Sequence, residues 1–202
     1  MTVYLRDIPA DAERDLAFLL AQAFAGDQPL RRVLGLDQRG MDVFWQITAR
    51  LYCRMEDRVR LGAYEGENLV GAAVGWESAA PPDWSLHWLY AWRLLRRLGP
   101  RALWQFGRWI GATTQQCAPH RRCLRLISFG VLADYRRQKL GEKLLAGFCR
   151  IAEDSGLEAV QLECAESNPA RQFYERFGFN TETTFAVGGV TWHVMSKLLS
   201  PP

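Results

Sequence analysis

Between Leu124 and Gly156 the chain changes its hydrophobic period. Leu124 to Val131 is an almost continuous apolar run, which predicts a buried strand. Further on, apolar residues fall at Leu140, Leu144, Leu145, Phe148, Ile151 and Ala152, the spacing of one helical face. Gly156 then offers positive φ where that helix stops. The link between them is polar: Asp134-Tyr135-Arg136-Arg137-Gln138-Lys139, with Gly141 just inside the helix. A strand feeding a helix through such a turn leaves backbone N–H groups unpaired at the positive end of the helix dipole. That arrangement suits a phosphate. Arg136, Arg137 and Lys139 add full charges to it.

The same patterning divides the rest of the chain. Val3 to Ile8 reads as a strand, and Pro9-Ala10-Asp11 turns it. Asp11 is placed to cap a helix running to Ala25, with Leu16, Leu19, Leu20 and Phe24 on one face. Gly26-Asp27-Gln28-Pro29 breaks that helix, and a second follows from about Met41 to Met55, burying Phe44, Ile47 and Leu51. Arg60–Tyr64 and Leu69–Trp76 flank a turn at Glu65–Asn68 and read as a hairpin. Gly130 sits where a bulge in the Leu124–Val131 strand is easy. Ala159–Cys164 reads as the next strand, followed by a short helix around Tyr174. Phe185–Val187, Gly188-Gly189 and Val190–Leu198 read as a closing hairpin.

Pro81-Pro82 ends the first hairpin, and an unusual stretch follows. From Trp84 to Ala133 there is no Asp or Glu, yet the span holds eight Arg (93, 96, 97, 101, 108, 121, 122 and 125) and five of the chain's eight Trp. Gly99-Pro100 divides it, with Pro100 suited to the first turn of a second helix. The spacing puts Trp88, Trp92 and Leu95 on one face of the first helix, and Leu103, Phe106 and Ile110 on one face of the second. A helical hairpin over about 84–116 is therefore expected between the strand pair and the central strand. Three roles stay open for it. The Trp are core beneath a solvated Arg face, or they wall an acceptor pocket, or they form a membrane-surface or nucleic-acid patch. Without Lys or a nucleic-acid motif, no nucleic acid is expected as a partner.

Composition narrows the class. A chain of 202 residues with 49% hydrophobic content can bury one core, so a single domain over 1–202 is expected. A net charge of +3 does not argue for nucleic acid by itself. No apolar run reaches the roughly 18–20 residues of a membrane span, so stable membrane insertion is not expected. The start, MTVYLRDIPADAERD, lacks a basic region followed by an apolar one, so no signal peptide is expected. Cys53, Cys117, Cys123, Cys149 and Cys164 are odd in number and form no CxxC pair, which favours reduced thiols in a cytoplasmic protein and no metal.

Two segments together resemble the GCN5-related N-acetyltransferases (GNAT). That family's pyrophosphate loop has Arg or Gln, two free positions, Gly, one free position, then Gly or Ala. Arg136 and Gly141 match, and Lys139 stands where the family usually has Gly. Asn168 to Phe179, NPARQFYERFGF, resembles the family's later helix, where an aromatic, a Tyr and a terminal Gly-Phe recur. The resemblance is specific over Arg125 to Phe179. It implies a mixed α/β (α+β) fold, a mostly antiparallel central sheet flanked by helices, carrying the 84–116 hairpin as an insert.

It also implies an acyl-CoA-dependent N-acyltransferase, with acetyl-CoA or another acyl-CoA lying between the strand ending at Val131 and the strand ending near Cys164. The backbone of Val131 and Ala133 is then expected against the pantetheine arm. N–H groups from Arg136 through Arg137, Gln138, Lys139 and Leu140 to Gly141 are expected on the pyrophosphate. Tyr174 corresponds to the family's general acid for the departing thiolate, and Asn168 to an Asn that contacts pantetheine or the acid, with helix capping as its other reading. The general base stays open. Glu163 is preferred, Glu77 is its rival, and Glu166, His120, His193 or a water chain remain, while Ser128 faces an unassigned side. Gly188 to Met195 resembles the puromycin-type, small-molecule branch. The expected acceptor is an apolar or aromatic small-molecule amine, with an anionic group admitted. A protein or peptide amine, and a non-catalytic acyl-CoA-binding module, are the alternatives. A homodimer is admitted.

Overall fold

The structure is a computed structural model that describes residues 3–55, 58–78, 84–116 and 122–199. Pro81-Pro82, Cys117, His120 and Arg121 lie outside them. Seven strands form one sheet: β1 (Val3–Asp7), β2 (Arg58–Glu65), β3 (Asn68–Glu77), β4 (Cys123–Val131), β5 (Ala159–Ala165), β6 (Asn180–Val187) and β7 (Val190–Leu198). Their order is β1-β2-β3-β4-β5-β7-β6. Every neighbouring pair is antiparallel except β4 and β5. The expected mixed, mostly antiparallel sheet with flanking helices is the architecture found.

Helices cover both faces. The helix α5 (Leu140–Asp154) buries Leu144, Leu145 and Phe148 against one face, together with Leu61, Val70, Leu124 and Leu126. The helices α1 (Glu13–Ala23) and α3 (Gln38–Arg54) bury Leu16, Leu19, Phe44 and Trp45 against the other, with Ala72 and Val74 beneath them. α5 forms where its 3.6-residue apolar period demands, and Gly156 closes it at φ 66°.

The central strand breaks register once. Val74 pairs with Ser128 but Gly75 pairs with Leu126, so Ile127 is bulged out of the β3–β4 ladder. A Cβ on Gly75 would stand 2.1 Å from the Arg125 carbonyl oxygen, so only glycine fits opposite the bulge. The bulge is therefore at Ile127, not at Gly130, which keeps register with Ala72. Side chains change sides with it. Leu124 and Leu126 face α5, and beyond the bulge Phe129 and Val131 do.

Other expectations move. Asp11 does not cap α1: the helix starts after Ala12, with no side-chain cap bond. The break at Gly26–Pro29 is itself a helix start. Asp27 caps α2 (Gln28–Leu34), accepting the Leu30 N–H at 2.9 Å, and Pro29 fits its first turn. α3 begins at Gln38, earlier than Met41, because Asp37 caps it through the Gly40 N–H at 2.8 Å. β6 begins at Asn180, before Phe185, so the closing hairpin is longer than its apolar part.

The insert is α4 (Trp84–Gln116), folded back on itself at Gly99 (φ 85°) just before Pro100. Its halves meet where the Tyr90 ring packs edge-on against Phe106 at 5.5 Å. Against the first of the three readings, a core role for the Trp, Trp84, Trp88, Trp92 and Trp104 are 69%, 74%, 55% and 62% exposed. Tyr90, Leu94, Ala102 and Thr113 are the buried positions instead.

Candidate active site

The parallel pairing of β4 with β5 runs only from Cys123–Ala159 to Leu126–Leu162. Beyond it, β4 stays with β3 as far as Val131, and β5 stays with β7 as far as Ala165. The two strands thus part at the bulge. The facing edges of Ser128–Val131 and Glu163–Ala165 have no ladder between them, a gap in the middle of the sheet.

At the end of β4 lies the polar turn. Residues Ala133–Tyr135 form one 3₁₀ turn, and the Arg136 N–H closes it on the Ala133 carbonyl at 3.2 Å. From Arg137 to Glu142 no backbone N–H donates to a described residue. Lys143 is the first that does, to the Lys139 carbonyl at 3.1 Å. Arg137 and Lys139 take φ of 62° and 59°, the only positive values at non-glycine positions among the described residues. Alternating hand in this way turns successive N–H groups toward one point, a nest for an anion at the start of α5. Arg136 serves the turn from behind: its guanidinium donates to the Val131 carbonyl at 3.0 Å and to the Ala23 carbonyl at 3.2 Å. It ties the end of β4 to the end of α1. Gln138 donates to the Asp134 carbonyl at 2.9 Å. Leu140 is buried, and Gly141 lies against Phe173 and Phe129.

A cavity of about 410 Å³ opens from the gap and extends beneath α3 and α4. Phe44, Trp45, Phe106, Trp109 and Trp192 form much of its wall. The hairpin contributes Tyr90, Phe106, Trp109 and Ile110 to the wall, but of its five Trp only Trp109. Tyr174, on α6 (Ala170–Arg176), reaches the cavity from the core on the α5 side. Its ring packs on Phe129, Phe173 and Phe179 at 6.1, 5.4 and 5.8 Å. Burial pushes the Tyr174 phenol far above the usual tyrosine range, with Cys164 and Asp27 adding to the shift, so the proton stays on at neutral pH.

Two carboxyl groups line this cavity. Glu163 is ion-paired with Arg125, whose Nη2 donates to Oε1, and both side chains are nearly buried. Beside them the Tyr52 and Ser128 hydroxyls bond at 3.1 Å, which places Ser128 on the cavity side of β4. The second carboxyl is Asp27. Besides capping α2 it faces Asn168, whose Nδ2 lies 3.5 Å from Oδ2. Burial raises the Asp27 pKa, and the Leu30 N–H offsets this only in part. Asn168 also caps α6, its Oδ1 accepting the Ala170 N–H at 2.9 Å. In the sequence Asp27 reads only as part of a break. The signal was there: Asp two residues before Pro is a helix-start pattern, and a cap holds its carboxyl at a fixed place.

The other base candidates sit elsewhere. Glu77 is bound by Arg122 at 3.1 Å at the end of β3, outside the cavity lining. Glu166 is exposed. His193 bonds Thr181 at 3.2 Å through Nδ1 and does not line the cavity. Cys53, Cys123, Cys149 and Cys164 are free and buried, and burial pushes the Cys149 and Cys164 thiols up to about 11 and about 12. Among the described residues no group of three or more His, Cys, Asp or Glu is placed to hold a metal ion. No described helix is long and apolar enough to cross a membrane.

Known proteins agree with this geometry. The family model for the acetyltransferase (GNAT) family matches residues 30–179. Among curated proteins no sequence matches the chain. Among solved structures, arylalkylamine N-acetyltransferase 2 from Aedes aegypti superposes with a TM-score of 0.71 at 14% identity, covering 99% of this chain and 100% of that one. A Corynebacterium glutamicum structure described as histone acetyltransferase HPA2 and related acetyltransferase gives 0.70 at 20% identity, covering 100% and 99%. The PaiA N-acetyltransferase of Thermoplasma acidophilum, in complex with coenzyme A, gives 0.64 at 13% identity, covering 98% and 100%. A match over the greater part of the chain, laid on a turn and a gap that fit a CoA thioester, makes this protein a member of the GNAT N-acetyltransferases, with an acetyl-CoA-type thioester as its acyl donor.

Proposed function

We propose that the protein acetylates a small, apolar or aromatic primary amine, and that one acyl-CoA-binding domain carries the whole reaction. The observation that carries this reading is the aromatic cavity of about 410 Å³ that opens onto the gap between β4 and β5. That volume is of the size that takes small molecules. The name of the arylalkylamine N-acetyltransferase with the same fold, and the puromycin-type look of Gly188–Met195, support a small-molecule acceptor over a peptide. The Arg residues of the hairpin do not line the cavity, and Arg125 is already paired with Glu163. Arg58 also lines it, its guanidinium over the Trp76 ring at 3.5 Å, so an acceptor that carries an anionic group beside its amine is still admitted. Free thiols at every described cysteine fit a reducing, cytoplasmic setting.

The donor's pyrophosphate sits on the N–H groups from Arg137 to Glu142, with Arg136 and Gln138 bracing the turn and Lys139 adding charge. The pantetheine arm runs past Val131 and Ala133 into the gap, toward Asn168. Asp27, its carboxylate made more basic by burial, takes a proton from the bound ammonium. Glu163, neutralised by Arg125, orients rather than removes. The free amine attacks the acetyl carbonyl carbon, a C–N bond forms and the C–S bond breaks. Tyr174 gives its proton to the departing sulfur, the new amide nitrogen returns its surplus proton to the Tyr174 oxygen, and Asp27 releases its proton to water. The raised pKa of Tyr174 does not defeat the transfer to sulfur, because a thiolate born in the same dry site is equally eager for a proton.

The test is thiol release from acetyl-CoA across a panel of amines. Arylalkylamines should turn over, and peptide N-termini and lysine side chains should not. Tyr174→Phe should lower kcat by about 100-fold with little change in CoA affinity. Preferred turnover of peptides would overturn the acceptor class, and unchanged kcat in the variant would remove Tyr174 as the acid.

A further inference from the structure

The inner side of the α4 hairpin walls the cavity, and on its other side Trp84, Trp88, Trp92 and Trp104 are exposed. Trp84, Trp88 and Trp92 recur every fourth residue and so stand in one row, continued by the exposed Arg96. On the second half, the exposed Trp104 is followed four residues later by exposed Arg108. The guanidinium of Arg96 lies over the Trp92 ring at 5.9 Å, and that of Arg108 over Trp104 at 4.7 Å. Leu89 adds aliphatic surface at 37% exposure. Arg97 and Arg101 are exposed beside the fold-back at Gly99. No acidic residue occurs from Trp84 to Ala133. Indoles left in water at this density are a surface with a purpose.

We propose that this outer face docks on the surface of a bilayer rich in anionic lipid. Indole rings favour the boundary between headgroups and acyl chains, Leu89 favours the layer beneath, and Arg side chains extend back to lipid phosphates. The chemistry disfavours the other occupants. A second copy seated by two-fold symmetry would bring Arg against Arg with no carboxylate on the hairpin to separate them. A nucleic acid strand would find the phosphate partners but no use for the exposed Leu89. Docked this way, the hairpin holds the acceptor cavity about 10 Å from the bilayer, one helix thickness away. Nothing in this inference depends on which amine is acetylated.

The full chain is mixed with vesicles of phosphatidylcholine alone, or of equal parts phosphatidylcholine and phosphatidylglycerol, and sedimented. Partition onto the anionic vesicles should exceed partition onto neutral ones by about 10-fold or more, shift the tryptophan emission to the blue, and fall at high salt. Trp88→Ser/Trp92→Ser and, separately, Arg96→Glu/Arg97→Glu should each reduce it by about 10-fold while leaving coenzyme A binding unchanged. The idea is overturned if the wild-type chain sediments with neither vesicle, or if both variants partition like wild type. It is equally overturned if a tryptophan-dependent dimer, or tryptophan-dependent binding of a single-stranded oligonucleotide, appears in place of vesicle partition.

Discussion

Asp27 does two jobs that pull against each other. As a cap it accepts the Leu30 N–H, which favours the ionised form. As a cavity residue it is desolvated, and that effect is the larger, so its pKa is raised. A raised carboxyl is unpenalised below its ordinary pKa, where it is protonated in both folded and unfolded chains. The penalty appears as pH rises through the folded value. Asp27→Asn keeps a capping oxygen and removes the charge. It should unfold at a higher temperature than wild type at pH 7 and at the same temperature near the acid end, by calorimetry at both. The same change should lower kcat/KM for the amine by about 100-fold and abolish the acid limb of its pH profile. A variant that is more active would remove Asp27 as the base. Lys139 shows a similar conflict. A side chain at φ 59° costs about 1–2 kcal/mol that glycine does not. Lys139→Gly should therefore stabilise the fold by about 1 kcal/mol after glycine's greater unfolded entropy is counted. It should also weaken coenzyme A by about fivefold or less if the ammonium helps the phosphates from the surface. Tighter binding in the glycine variant would mean that the lysine obstructs the seat.

At the level of elements, the bulge at Ile127 decides where β4 and β5 part. Gly75→Ala would force a Cβ onto the Arg125 carbonyl at 2.1 Å and the Phe148 ring at 2.6 Å. That should cost about 2–3 kcal/mol and lower the melting temperature by about 5–10 °C. Loss of acetyl transfer should exceed the loss of folded protein, because a repaired ladder would close the gap; activity that simply tracks folded protein would show the bulge to be ornamental. The bulge was partly legible: apolar positions run 124, 126, 127, 129 and 131, so the two-residue period slips at Leu126-Ile127. The α5 helix was fully legible, since six apolar residues at helical spacing leave no other element. What stayed hidden depends on partners distant in sequence. Nothing local says that Trp88 faces water while Tyr90 meets Phe106, because a tryptophan-rich helix looks equally amphipathic with either face inward. Asp27 and Glu163 lie far apart in the chain and meet one cavity only after the sheet is assembled.

On the scale of the molecule, two large cores lie on either side of the sheet, with a small third cluster of Val33, Ala165, Val187 and Trp192. Tyr174 packs with the core beneath α5, and Phe44 and Trp45 pack with the core beneath α1 and α3. All three line one cavity because β4 and β5 separate. A ligand that fills the opening and the nest should brace both cores at once. Coenzyme A at 100 times its Kd adds about 2.7 kcal/mol to stability. For a chain of 202 residues that is a rise of about 5–10 °C in Tm. Pantetheine, which has the arm but not the diphosphate, should give much less at the same concentration. High salt should erode the coenzyme A shift, because Arg137 and Lys139 are exposed and their pull on phosphate is screened. Differential scanning fluorimetry with the two ligands separates the contributions. If pantetheine matched coenzyme A, the N–H row from Arg137 to Glu142 would not be the seat of the diphosphate, and the affinity would reside in the gap alone.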